Sequence, residues 1–210
     1  MSLTTERQIV KEIAAMIQGS GLSPLKKIHP HINLANKRFN QIWESWYRGD
    51  VPPPLEVDLV LVFEDTSSKI DQMLVGAVEV KYFQGFPKVK RNFFEGLHQA
   101  LALALFGFDG LGLWHLFAEN TPPERVHGYA EAVQELINGL QLPFFYVAAK
   151  LLNLSKFEAF APSKTTGEVA YFVEWMYNAW REEKWRNPLL TSEGVKRRRS
   201  TLKAMLQVPV

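Results

Sequence analysis

The chain has 210 residues, 47% hydrophobic and 22% charged, a balance that fits one globular domain, or one with a helical appendage, and excludes wholesale disorder. Cysteine is absent, which excludes disulfides, thiolate zinc sites, iron–sulfur clusters and a thiol nucleophile. Net charge is only +2, yet residues 181–203 hold eight basic side chains against three acidic ones, an excess of +5 that suits either a polyanion partner or a solvated helix face.

At the amino end, charges break up the apolar positions of MSLTTERQIVKEIAAMIQ, so no signal peptide is expected there. No apolar run of about 18 residues occurs, so no spanning helix is expected, and the lack of cysteine is compatible with a reducing, cytoplasmic setting. Thr5 and Gln8 fit a capping box ahead of Ile9, Val10, Ile13, Met16 and Ile17, which predicts a helix to about Gln18. Pro24 and Pro30 argue for a loop over 23–33. A helix is expected over 35–47, and Pro52, Pro53 and Pro54 then force an extended approach. LEVDLVLVF (55–63) and MLVGAVEVKYF (73–83) read as two strands that can form a hairpin. The spacing then predicts a helix over 91–108 with a buried second half, a strand over 110–117 and a helix over 124–138. Strands over 144–150 and 156–160, a helix over 168–185 and a last basic helix from Ser192 to about Leu206 complete an α/β pattern.

Side chains alternate along a strand, so residues two apart share a face. Asp58 therefore stands mid-strand in apolar company, and Glu79 and Lys81 share one face of the next strand. Charged residues in such places need a partner or a task. If the hairpin aligns these faces, two carboxylates and an ammonium converge. Two close carboxylates repel, and a divalent cation between them removes that cost; oxygen ligands suit Mg²⁺ or Mn²⁺. Such an ion polarises phosphate and acidifies water, and a nearby lysine can orient that water or stabilise developing charge.

Asp58 followed by Glu79-Val80-Lys81 resembles the PD-(D/E)xK nuclease superfamily, and Gln99, on the following helix, resembles the glutamine-led motif of its RecB-like branch. The likeness spans roughly residues 4–118. Val57 replaces the proline of the motif and Leu103 the tyrosine four residues after the glutamine. The resemblance implies a restriction-endonuclease-like αβββαβ core with a mixed central sheet flanked by helices. The domain would cover 1–165, with a helical basic extension over 166–210. It also implies Mg²⁺- or Mn²⁺-dependent hydrolysis of DNA. Asp58, Glu79 and the Val80 carbonyl would hold the ion, Lys81 would position the water, and Gln99 and Glu6 would complete the pocket. Glu6 is chosen over Glu12 because it falls on the apolar stripe of the first helix. The other reading is a nuclease-fold protein that no longer cuts and serves as a nucleic-acid-binding or assembly subunit.

Lys88, Lys90 and Arg91, in the loop after the site strand, suit phosphate contact or plain solvation equally, and Lys196, Arg197, Arg198 and Arg199 could track a DNA backbone. A homodimer is a further expectation, since many nucleases of this fold cut two strands as dimers. Trp43, Trp46 and Tyr47 read as helix-packing residues before base-stacking ones. His29 and His31, flanking Pro30, read as surface residues, and none of the five histidines has zinc-protease spacing.

Overall fold

The computed structural model describes residues 5–34, 56–65, 72–84, 94–153, 155–182 and 185–209. The expected helix over 35–47, its aromatic trio and Lys88, Lys90 and Arg91 lie outside them.

The protein is an α/β fold whose described residues form a seven-stranded mixed sheet flanked by helices. Helix α1 (Glu6–Gly19) begins at Thr5, whose side chain accepts the Gln8 N–H as the capping box requires. β1 (Leu25–Asn33), β2 (Glu56–Asp65) and β3 (Gln72–Phe83) follow. Next come α2 (Leu97–Leu103), β4 (Gly110–Ala118), α3 (Pro123–Gly139), β5 (Phe144–Asn153), β6 (Lys156–Ala161) and β7 (Thr165–Glu168). α4 (Val169–Arg181) and α5 (Glu193–Met205) close the chain. The strands lie side by side in numerical order; β3, β4 and β5 are mutually parallel and every other neighbouring pair is antiparallel.

The sheet divides the core into two layers. α2, α3 and α5 cover one face with Leu103, Val126, Val133 and Leu202 packed over Val60, Ala77 and Leu113. α1 and α4 cover the other with Ile9, Ile13, Phe172 and Trp180 over Leu61, Val78 and Trp114. Strands buried on both faces read as near-continuous apolar runs, as β3 to β5 do. Trp180 lies so close over the sheet that a Cβ on Gly76 would come within 2.0 Å of its ring. The division expected at residue 165 falls inside β7, and α4 contributes its apolar face directly to one core layer.

Besides β7, which the sequence did not mark, two elements differ from the sequence expectation. Residues 25–33 form an edge strand and not a loop. Among the described residues β1 pairs on one side only, with β2, and Pro30 is tolerated at such an edge because its missing N–H leaves no inner ladder broken. The helix expected over 91–108 is shorter: among the described residues it starts after a turn at Phe94–Gly96, where Gly96 has φ +81°, and tightens to a 3₁₀ turn over Ala104–Phe106. Its apolar run is not buried all round, since Leu101 is 41% exposed.

Candidate active site

The site grows out of a fork between β2 and β3. The two strands pair from Asp65↔Gln72 to Leu59↔Val78, and the pairing stops there. The first residues of β2 continue along β1 instead, through Ile32↔Val57 and Asn33↔Glu56. β3 runs on for five residues, so N–H groups on its β2 edge lose their backbone partners. Buried N–H groups must be satisfied, and carboxylates take the role. Asp58 Oδ2 accepts the Val80 N–H at 2.8 Å, and Glu6 Oε2 accepts the Tyr82 N–H at 2.9 Å. A strand residue sends its N–H and C=O to the same edge, so the Val80 carbonyl also points into the fork.

One further step of the β2–β3 register would set Asp58 opposite Glu79, on the face shared with Val60 and Ala77. Glu79 is buried, 1% exposed; Oε1 lies 2.7 Å from Lys81 Nζ, and Oε2 is buried without a hydrogen-bond partner. Lys81 Nζ also lies 3.5 Å from Glu6 Oε1. Glu6, from the helix layer on the far side of the sheet, reaches this point through the gap. Glu12, the alternative on the same helix, is exposed.

The electrostatics follow from this crowding. Burial raises the Asp58 carboxyl above its ordinary range, outweighing the Val80 N–H and Lys81, which favour its charge. Burial, with repulsion from Asp58 added, pushes Glu79 up to about 7. Burial alone would pull the Lys81 ammonium down, but Glu79 and Glu6 outweigh it and hold it above the usual lysine value. Three carboxylates thus share one ammonium in a poorly hydrated gap, an arrangement short of positive charge.

Beneath Lys81, His115 stands beside it in the β3–β4 register. Its Nε2 is 2.8 Å from the Glu95 carbonyl, which only accepts, so Nε2 carries the hydrogen and Nδ1 accepts from the Tyr146 hydroxyl at 3.0 Å. Full burial pulls His115 down to about 4. The bond to Glu95 fixes the turn that ends in Gly96. A Cβ on Gly96 would meet Lys81 Cγ at 3.0 Å, and its φ of +81° would strain any other residue. The turn therefore closes over the stem of Lys81.

The remaining sequence-derived residues separate. Gln99 is half-buried on α2 and makes no hydrogen bond to the carboxylates among the described residues. Leu103 is fully buried in the core. On α5, Lys196 pairs with Glu193 at 2.6 Å in solvent and Arg197 is exposed. Arg198 is not on the outer face: it is 1% exposed and its Nε donates to the Leu105 carbonyl. Arg199 donates to Asp109 Oδ1 from Nε at 2.9 Å and from a terminal nitrogen at 2.6 Å. These two arginines are therefore bonded into the fold, and the four side chains of the basic run do not share one face of α5.

Two residues, His31 and Glu56, join the fork that the sequence pattern alone did not mark. His31, at φ +54° in β1, has a nearly buried side chain whose Nε2 donates to the Arg7 carbonyl at 3.0 Å. Its Nδ1 lies 3.0 Å from Glu56 Oε1 and 3.9 Å from Asp58 Oδ1. The available signal was its position one strand away from Asp58, which becomes visible only once 25–33 is taken as a strand.

Among the described residues no three His, Cys, Asp or Glu side chains close round a common point as a metal cage. No described helix is long and apolar enough to cross a membrane. Comparison with known proteins finds no matching family model, no matching curated protein and no matching solved structure.

Proposed function

We propose that the protein is a metal-dependent phosphodiesterase acting on DNA, built on a restriction-endonuclease-like core of the PD-(D/E)xK kind. The observation that carries the reading is the fork: Asp58, Glu79, Lys81 and Glu6, from three elements, meet where β2 leaves β3. The order α1-β1-β2-β3-α2-β4 among the described residues is in keeping with the αβββαβ core that this resemblance implies.

The donors fit a hard divalent cation. Glu79 Oε2 is buried and unpartnered, and burial drives both Asp58 and Glu79 toward protonation, a tendency that a cation bound between them would oppose. Two carboxylates and the Val80 carbonyl would hold Mg²⁺ or Mn²⁺, which keep several waters and need no all-protein cage. Such an ion, when bound, supplies Lewis-acid polarisation of a phosphate oxygen. The chain supplies the rest. Lys81 is held charged between Glu79 and Glu6, its stem fixed under Gly96, so its ammonium is preorganised toward a phosphate or an attacking water. Glu6 anchors the β3 edge through Tyr82 and limits how far Lys81 can swing.

The test is cleavage of labelled single-stranded, duplex and branched DNA with and without Mg²⁺ or Mn²⁺. Metal-dependent product formation, lost in Asp58→Asn, is expected. A folded protein that cuts none of these substrates with either ion would instead leave the reading of a non-cutting nucleic-acid-binding subunit.

A further inference from the structure

The carboxylate cluster lies toward the carboxyl end of β3. At the opposite pole, where β3, β4 and β5 begin, two clefts of about 660 and 230 Å³ adjoin and share Arg186 and Leu190. Arg181 and Arg186 line the larger cleft, with no acidic side chain among the described residues that line it. Arg186, Lys196 and Arg199 line the smaller, with Asp109. The cations come from the end of α4, the segment after it and α5.

The floor is fixed. Arg186 forms a backbone bridge to Gly110 at the start of β4, and its Nε donates to the Trp180 carbonyl at 3.4 Å. No carboxylate pairs with Arg186 among the described residues. The next residue, Asn187, is 2% exposed and donates to the Ala104 and Phe108 carbonyls at 2.8 and 3.0 Å. The acid in the smaller cleft is already engaged: Asp109 Oδ2 accepts the Val75 N–H at 2.8 Å while Oδ1 takes Arg199. What faces outward is Arg186, held by the fold, with Arg181 beside it in the larger cleft and the ion-paired Lys196 and Arg199 in the smaller.

We propose that this double cleft is a second binding point for the phosphate backbone of a nucleic acid strand, with Arg186 as its anchor. The proposal rests on the nuclease reading of the fork and gives that substrate a second point of attachment. Leu74, at the cleft, and Glu79, at the fork, are five strand steps apart, about 17 Å at ~3.3 Å per step. A nucleic acid strand long enough to cover that distance can therefore occupy both points at once. Cations fixed by the fold before the ligand arrives lose little freedom on binding, which favours affinity.

The experiment is fluorescence anisotropy with a labelled 20-base-pair duplex in EDTA, so that binding is read without cleavage, repeated over a salt series. The double change Arg181→Gln with Arg186→Gln should weaken binding several-fold. It should also lower the slope of log affinity against log salt by about 0.9 for each phosphate that the variant no longer neutralises. Arg186→Lys should keep most of the affinity, and Lys164→Gln, an exposed cation outside the clefts, should change neither quantity. Unchanged affinity and slope in the double variant, or an equal loss in Lys164→Gln, would overturn the proposal. A wild type that never cuts DNA, beside a double variant that still loses affinity, removes the nuclease reading and keeps the cleft. A wild type that cuts, beside a double variant that binds as well as it does, removes the cleft alone.

Discussion

Replacing His115 by Gln takes a buried imidazole out of the layer beneath Lys81 and should change the pH dependence of stability in a calculable way. In the folded protein His115 is neutral and titrates at about 4, against an ordinary 6.5 in the unfolded chain. Below about 6.5 the unfolded state binds a proton that the folded state refuses, so stability falls as pH falls, down to about pH 4. The whole shift corresponds to about 3 kcal/mol, and the part crossed between about pH 7.5 and about pH 5 to roughly 2 kcal/mol, at ~1.4 kcal/mol per pH unit. Gln has no proton to gain. The lead of the wild type over His115→Gln, read by urea unfolding in EDTA, should therefore shrink by roughly 2 kcal/mol over that acidification. Using the difference between the two proteins matters, because Glu79 titrates over an overlapping range with the opposite slope. A lead that stays constant, or grows on acidification, would show that His115 is not held neutral by burial, and the account of the turn over Lys81 would lose its basis.

Glu79, raised to about 7, costs the folded protein stability as pH rises from about 4.5, so in EDTA Glu79→Gln should gain on the wild type by about 2 kcal/mol between about pH 5.5 and about pH 8. The same variant should lose the thermal stabilisation that Mn²⁺ gives the wild type, measured by differential scanning fluorimetry. Gly76→Ala should cost about 2 kcal/mol or more, since its Cβ would meet the Trp180 ring at 2.0 Å; urea unfolding with retained far-ultraviolet dichroism checks it. Asp109→Ala strips partners from the Val75 N–H and from Arg199 and should cost about 3 kcal/mol by the same assay.

Much of the centre of the sheet was legible because it obeys one rule. β2 and β3 alternate or run apolar over eight or more residues rich in β-formers, which marks LEVDLVLVF and MLVGAVEVKYF as strands. The period of 3.6 likewise separated Glu6 from Glu12 on α1, and the structure places Glu6 against Tyr82 and Lys81. What escaped depends on position in the sheet. β1 was obscured by Pro30, whose cost vanishes at an edge, and β7 is a four-residue edge strand, TTGE, with no apolar side chain. Arg198 was misplaced because a run of four cations reads as surface. It nevertheless lies in step with Val195 and Leu202, three and four residues away, so the helical period marked it as inward. The fork itself could not be read: where a strand leaves its partner is decided by the competing pairing with β1, which joins residues distant in the chain.

If the fork hydrolyses phosphodiesters as proposed, Lys81 acts on the reacting groups. The most direct test is the single-turnover cleavage rate of labelled DNA with Mg²⁺ for wild type and Lys81→Ala, at saturating protein and matched folded fraction. Lys81→Ala removes a positioned charge without removing either carboxylate, so the rate should drop by about two orders of magnitude or more while DNA affinity is largely kept. A wild type that cleaves and a Lys81→Ala protein that cleaves equally fast would contradict the account.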